Sequence, residues 1–122
     1  MGKTVLVAGA SRGIGLEFAV QYAADGWSVI AGCRNPDQAR SWLPSGVDIQ
    51  PLDVTDMVSI DALAEHLNEI PLDLLIINAG VAGPDAAGFV APDVLEFDRV
   101  MHTNVLGPMR MIQTFGACVA HA

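Results

Sequence analysis

The sequence predicts an α/β fold in which a parallel sheet of about four β/α units carries helices on both faces. Short apolar runs alternate with segments of helical periodicity along the whole chain. The runs are apolar throughout, the pattern of strands buried on both sides. The first of them opens directly onto a glycine-rich turn that leads into the first helix.

Val5-Leu6-Val7-Ala8 reads as the first buried strand. After the turn, Ile14, Phe18 and Tyr22 recur at helical spacing, and Leu16, Ala19 and Ala23 widen the expected core stripe. That helix should stop near Asp25-Gly26, where glycine accepts the left-handed cap conformation. Trp27 to Cys33 is the second strand. Asn35-Pro36 then supplies an N-cap followed by proline in the first helical position. Val47 to Leu52 is the third strand, and Ile60, Leu63, Ala64 and Leu67 form the apolar face of a helix capped by Asp56. Leu72 to Ile77 is the fourth strand. Gly80 to Pro92, rich in glycine and proline, should be a loop. Asp93-Val94-Leu95-Glu96 resembles a capping box opening a last helix, which Gly107-Pro108 should disturb.

A chain of 122 residues without repeats or composition breaks is read as one domain, residues 1–122. Apolar residues make up 52% and charged residues 16%, against about 25% charged in an average soluble domain. A small chain has a large surface for its volume and should need more charge, not less. Either it hides surface against a partner, with a homo-oligomer expected, or it is a piece of something larger. The net charge of −8 argues against a nucleic-acid or anionic-membrane partner, where phosphates demand clustered Lys and Arg. It leaves room for a single nucleotide held by a local arginine and backbone amides. Cys33 and Cys118 match no metal spacing, His66 sits among polar residues on its helix and is read as solvated, and His102 and His121 have no acidic or cysteine partner at ligand spacing, so no metal site is expected. The apolar run after Met1-Gly2-Lys3 is broken by Ser11 and Arg12 before it could serve as an export signal, and no apolar stretch approaches the ~20 residues of a membrane span. The expected location is the cytoplasm.

The sharpest feature is Gly9-Ala10-Ser11-Arg12-Gly13-Ile14-Gly15, set between a strand and a helix. Phosphate oxygens need unencumbered backbone N–H groups at a helix N-terminus, and glycines permit both the tight turn and the close approach. The spacing is G-x-x-x-G-x-G, not the G-x-G-x-x-G of the general dinucleotide fingerprint.

Gly9 to Gly15, Asp53-Val54, Asn78-Ala79-Gly80 and Asn104 fall in the order and context of the short-chain dehydrogenase/reductase family, which the chain resembles. Ser11 to Phe18, with Gly26-Trp27 and Cys33-Arg34, is similar to the C-factor and sniffer-like carbonyl reductase branch. The likeness covers essentially the whole chain but only the N-terminal half of a typical member. It implies a Rossmann-type sheet and an oxidoreductase that moves hydride between a nicotinamide dinucleotide and a carbonyl or alcohol. It further implies that Gly9, Ser11, Arg12, Gly13, Ile14 and Gly15 surround the adenosine ribose and pyrophosphate. Asp53 and Val54 would contact adenine, and Asn78, Ala79 and Gly80 would line the ribose. Asn104, the candidate catalytic residue, would join a water-linked proton relay. Ala8 and Ile77 depart from the family, which usually has Thr and often has Asn at these positions.

Charge bears on the choice of cofactor. An NAD-selective site places a carboxylate about 20 residues beyond the glycines, to accept from the ribose 2′-hydroxyl. This chain reads Cys33-Arg34-Asn35 there, with Arg12 inside the turn. Two guanidiniums can clamp a 2′-phosphate, so NADP(H) is favoured over NAD(H). Asp37 is the rival, placed past the proline and inside the following helix.

Plainer readings exist for each residue. Arg12 and Arg34 would serve equally as solvated loop charges, Asp53 as a turn cap, and Asn78 as a strand-closing amide. Asn104 would serve as a polar residue bonded to backbone. Tyr22 belongs to the apolar face of its helix.

Carbonyl reduction needs a proton donor, for which the family uses Tyr followed four positions later by Lys, with a Ser polarising the carbonyl. The single tyrosine here is Tyr22 and the single lysine is Lys3, which cannot form that pair. The chain is therefore expected to lack the active-site half and to be inactive by itself. Three readings stay open: a partial NADP(H)-dependent oxidoreductase, a nucleotide-binding signalling module, and an inactive structural subunit. The fourth strand should form an exposed sheet edge, and the last helix should present Leu106, Met109 and Ile112 to solvent or to a partner.

Overall fold

The computed structural model describes residues 2–78, 80, 81, 88 and 90–120. Strands β1 (Thr4–Ala8), β2 (Ser28–Cys33), β3 (Asp48–Pro51) and β4 (Leu74–Ile77) form one parallel sheet in the order β3-β2-β1-β4. The crossovers are made by α1 (Gly13–Ala24), α2 (Pro36–Ala39) and α3 (Met57–Leu67). After β4 come α4 (Val94–Met101), a π-helical turn (His102–Leu106) and α5 (Gly107–Ala120). This is the Rossmann-type arrangement, with β2 and β3 on one side of β1 and β4 on the other.

The alternation of side chains along the strands divides the core into two layers. From β1, Val5 and Val7 point to one face with Val29, Ala31, Ala19 of α1, Ala39 of α2 and Leu43. Leu6 and Ala8 point to the other, with Ile60, Leu63 and Leu67 of α3 and Met111 and Phe115 of α5. β1 is covered on both faces, which is why its run contains no polar residue. Register pairs Val5 with Val29 on one side and Leu74 on the other, and Ala8 with Gly32 and Ile77. At the start of β1, Thr4 N donates to Asp73 Oδ2 at 2.8 Å and Asp73 N donates to the Thr4 carbonyl at 2.9 Å.

The expected caps are present. Asn35 accepts from Gln38 N ahead of Pro36, Asp56 accepts from Val58 N, and Asp93 accepts from Glu96 N. Glu96 does not complete the capping box, because its carboxylate pairs with Arg99 at 3.0 Å. α1 ends at Asp25 with Gly26 at φ +88°. The loop expected over Gly80–Pro92 lies mostly outside the described residues.

One expectation is corrected, and the disturbance expected at Gly107-Pro108 is present. Ile14 and Phe18 were expected in the core stripe of α1 but are 67% and 39% exposed. The buried residues of α1 are Gly15 and Ala19, whose small size lets the helix approach the sheet closely, so the inward face is turned toward them. The last helix is not continuous. Pro108 has no N–H for the Asn104 carbonyl and its ring would crowd that carbonyl, and the chain widens into the π-helical turn just before it. Gly107, buried at this junction, lets α5 lie against Val54; a Cβ there would sit 2.8 Å from Val54 Cγ2.

β4 is a sheet edge, as expected. Val94, Leu95, Phe97, Met101, Val105, Leu106, Met109 and Ile112 are all exposed along α4, the π-helical turn and α5, of which α5 packs against β4. No helix among the described residues is long and apolar enough to cross a membrane.

Candidate functional site

The carboxyl ends of all four strands open into one groove of about 750 Å³, within the range of about 300–1,000 Å³ usual for cofactor sites. It lies where the chain order reverses across β1, between β2 and β4, the position at which parallel α/β sheets bind ligands. Gly9, Ser11, Arg12, Gly13 and Ile14 enter from the β1–α1 turn. Arg34, Asn35, Gln38 and Trp42 come from the end of β2 and the α2 region. Leu52, Asp53, Val54 and Thr55 follow β3, while Asn78, Gly80, Val81 and Thr103 close the far wall.

The turn is held by backbone. Gly9 N and Ala10 N both donate to the Gly32 carbonyl, at 2.9 and 3.2 Å, and Gly9 and Gly13 sit at φ +86° and +59°. Only glycine takes those angles without strain. Arg12 is the N-cap of α1, yet no side chain caps the helix and its first turn holds no acidic residue. Its leading N–H groups and the positive end of its dipole are thus available to an anion. Gly15 is buried behind the turn and does not line the groove. A Cβ on it would run into the Gly9 carbonyl oxygen and stand 2.8 Å from Asn78 Nδ2. Its role is the close packing of helix on strand.

Among the described residues, Asp53 is the one carboxylate that lines the groove. Thr55 donates to its Oδ1 from both the hydroxyl (2.6 Å) and the backbone N–H (2.9 Å), while Asp53 N donates to Ser59 Oγ at 2.8 Å. The Thr55 hydroxyl above all holds the Asp53 carboxyl below its ordinary range; burial, the next-largest effect, pushes the other way, and the Thr55 N–H and the charges of Arg34 and His102 add smaller downward contributions. Arg12 and Arg34 form no ion pair or hydrogen bond among the described residues. Asp37 lies in α2, outside the groove lining, nearly fully exposed and 3.8 Å from Arg40. Cys33, buried beneath the groove floor, has its thiol pushed up by burial and is held neutral as a core residue.

Asn78 N donates to the Ala8 carbonyl at 2.8 Å, continuing the β1–β4 ladder, and its side-chain amide reaches the Gly9 carbonyl at 3.5 Å. Asn104, in the π-helical turn, is not among the lining residues. Its Oδ1 accepts from Val81 N at 2.7 Å and its Nδ2 donates to the Val81 carbonyl at 2.8 Å, so the whole side-chain amide holds the backbone of a residue that does line the groove.

Ten of the expected binding residues thus share one groove: Gly9, Ser11, Arg12, Gly13, Ile14, Arg34, Asp53, Val54, Asn78 and Gly80. Ala79 lies outside the described residues. Sequence reasoning missed Gln38, Trp42, Leu52, Thr55, Val81 and Thr103. Thr55 carried a usable signal, since Asp-x-Thr is an Asx-type turn; the others are assembled by tertiary folding. Among the described residues, no group of three or more His, Cys, Asp or Glu could hold a metal ion. His66 instead lies 3.5 Å from Asp48 on the surface, and His102 lies 3.5 Å from Arg110.

Known proteins share this arrangement. The galactitol 2-dehydrogenase of Agrobacterium fabrum is 35% identical over 117 residues, which take in 91% of this chain and 44% of the relative. The crystal structure of a short-chain dehydrogenase/reductase from Burkholderia multivorans with bound NADP superposes with a TM-score of 0.84 at 32% identity, covering 97% of this chain and 54% of that one. The carbonyl reductase Sniffer of Caenorhabditis elegans superposes with a TM-score of 0.83 at 28% identity, over 97% of this chain and 54% of its own. The chain spans about half the length of these relatives. The match to the family described as short chain dehydrogenase runs over residues 3–120 and takes in every element from β1 to α5, and the chain belongs to that family.

Proposed function

We propose that this chain is the cofactor-binding part of an NADP(H)-dependent oxidoreductase acting on a carbonyl or alcohol. The observation that carries the reading is the pair of arginines, Arg12 and Arg34, at a groove whose one carboxylate among the described residues, Asp53, is already held by Thr55. The residues present fit a dinucleotide: glycines where a Cβ would be strained or collide, an uncapped helix N-terminus for the diphosphate, and two guanidiniums for a 2′-phosphate. Gly9 to Gly13 would hold the diphosphate, Arg12 and Arg34 the 2′-phosphate, Asp53 and Val54 the purine, and Asn78 to Gly80 the ribose. Bound there, the cofactor would donate or accept hydride. The position of Asp37 on Arg40 and away from the groove supports the preference for the phosphorylated cofactor. The NADP bound by the Burkholderia multivorans structure agrees with it.

Asn104 fixes Val81 at the inner end of the groove, and we assign it a positioning role through that clamp. A water-linked proton relay would use its main-chain carbonyl, to which Pro108 offers no N–H, in preference to the committed side chain. Tyr22 packs edge-on against Trp27 with ring centroids 4.8 Å apart and does not line the groove, so neither it nor Lys3 serves as a proton donor here. On this reading the 122 residues bind cofactor and do not reduce carbonyls unaided, which keeps a role by binding alone as the second reading. Isothermal titration calorimetry tests the proposal. NADPH should bind about tenfold or more tightly than NADH, from charge-assisted bonds to the 2′-phosphate, and Arg34→Asp should reverse the order. Equal affinities for the two cofactors would refute it.

A further inference from the structure

The groove wall formed by the α2 region carries a large aromatic side chain that the functional reading does not use. Trp42 lines the groove near Arg34 and Gln38 and is 49% exposed. The backbone that carries it is anchored. The main-chain N–H of Trp42 donates to the Ala39 carbonyl at 3.0 Å, the Ser41 hydroxyl donates to the Gln38 carbonyl at 2.9 Å, and the neighbouring Leu43 is buried in the core. The other tryptophan, Trp27, packs on Tyr22 and under Lys3. Trp42 makes no ring or cation–π contact among the described residues, so its π-system has no partner among them.

An indole on the wall of a mixed polar groove, with half its surface open, is suited to a planar ring, because flat π-faces stack in offset geometry and shed water from both sides. We infer that Trp42 is a base-contacting residue of the groove and that it stacks on the purine of the bound nucleotide. The inference rests on the proposed cofactor groove and extends it to a residue outside the glycine turn. It places the purine between the α2 region and Asp53-Val54, with Arg34 beside both.

The test uses the full chain carrying Trp27→Phe, which makes Trp42 the sole fluorophore of its kind. Adenosine 2′,5′-bisphosphate should quench or shift the Trp42 emission on binding, and nicotinamide mononucleotide, which has no purine, should not. Trp42→Ala should weaken the bisphosphate by about tenfold, the usual scale for losing one base–aromatic stack, while Trp42→Phe restores most of the affinity. Thermal unfolding should be nearly unchanged in both variants, since the side chain is half outside the core. Bisphosphate binding that leaves Trp42 emission unmoved, or that Trp42→Ala does not weaken, would overturn the stacking role and leave the groove assignment standing. Failure of the unaltered chain to bind either the bisphosphate or NADPH by calorimetry would overturn both.

Discussion

Replacing Gly15 by Ala tests the packing on which the groove depends. Gly15 is buried in the first turn of α1, facing the Gly9 carbonyl and 2.8 Å, by the position its Cβ would take, from Asn78 Nδ2. The Gly9 carbonyl is backbone and not free to yield, whereas the Asn78 amide is a side-chain end that would have to turn aside. Gly9 N is bonded to the Gly32 carbonyl at 2.9 Å, and Asn78 N is bonded to the Ala8 carbonyl at 2.8 Å. The new methyl group can be housed only if α1 backs away from β1. Alanine in place of glycine favours the helix by about 1 kcal/mol. Overpacking costs typically about 1–3 kcal/mol, and contact with backbone instead of a pliant side chain puts this site at or beyond the upper end. A net loss of about 2 kcal/mol follows. With an unfolding entropy of about 2.1 cal/mol/K per residue, that loss lowers Tm by about 8 °C. The same retreat carries the N-terminal N–H groups of α1 away from the Gly9 turn, so NADPH affinity should fall by about tenfold or more. Thermal melts followed by circular dichroism and calorimetric titration read the two effects. A melting temperature within about 2 °C of the unaltered chain, with undiminished NADPH binding, would refute the argument from close packing.

Thr55→Val removes the hydroxyl that chiefly depresses the Asp53 carboxyl. In the unaltered chain this carboxyl contributes stability above its unfolded pKa of about 3.9, and loses that contribution as pH falls through its lower folded value. The variant should move the Asp53 titration upward, toward the ordinary range, as read by carboxyl NMR; an unmoved titration would contradict the assigned cause. Phe115→Ala, at a side chain 1% exposed between α5 and the sheet, should cost about 3–5 kcal/mol in urea unfolding, and a cost below about 1 kcal/mol would mean the layer collapses freely. The bare β4 edge and the exposed Leu106, Met109 and Ile112 support self-association of the chain. Sedimentation velocity should show an oligomer that Met109→Glu shifts toward monomer, and a monomer at all working concentrations would count against it.

Much of this was legible because it is local. The Val5–Ala8 run, the glycine turn and the caps at Asn35, Asp56 and Asp93 each follow from neighbours within a few residues, and each appears in the structure. The face of α1 was misjudged because apolar size pointed to Ile14 and Phe18, while the distance to the sheet selects Gly15 and Ala19. Gly15 carried the right motif and a different task, since only the tertiary contact with Gly9 shows that it packs and does not touch the groove.

By itself, then, the chain's order of residues determined a parallel α/β sheet and a glycine turn fit for diphosphate, since backbone angles and apolar runs are local properties. Folding decided what depends on distant segments meeting. The β3-β2-β1-β4 order, the Asn104 clamp on Val81, Arg34 and Asp53 brought to one groove, and Trp42 on the groove wall all arise there. No short window of sequence holds both partners of those contacts, so their geometry exists only once the sheet has brought the strand ends together.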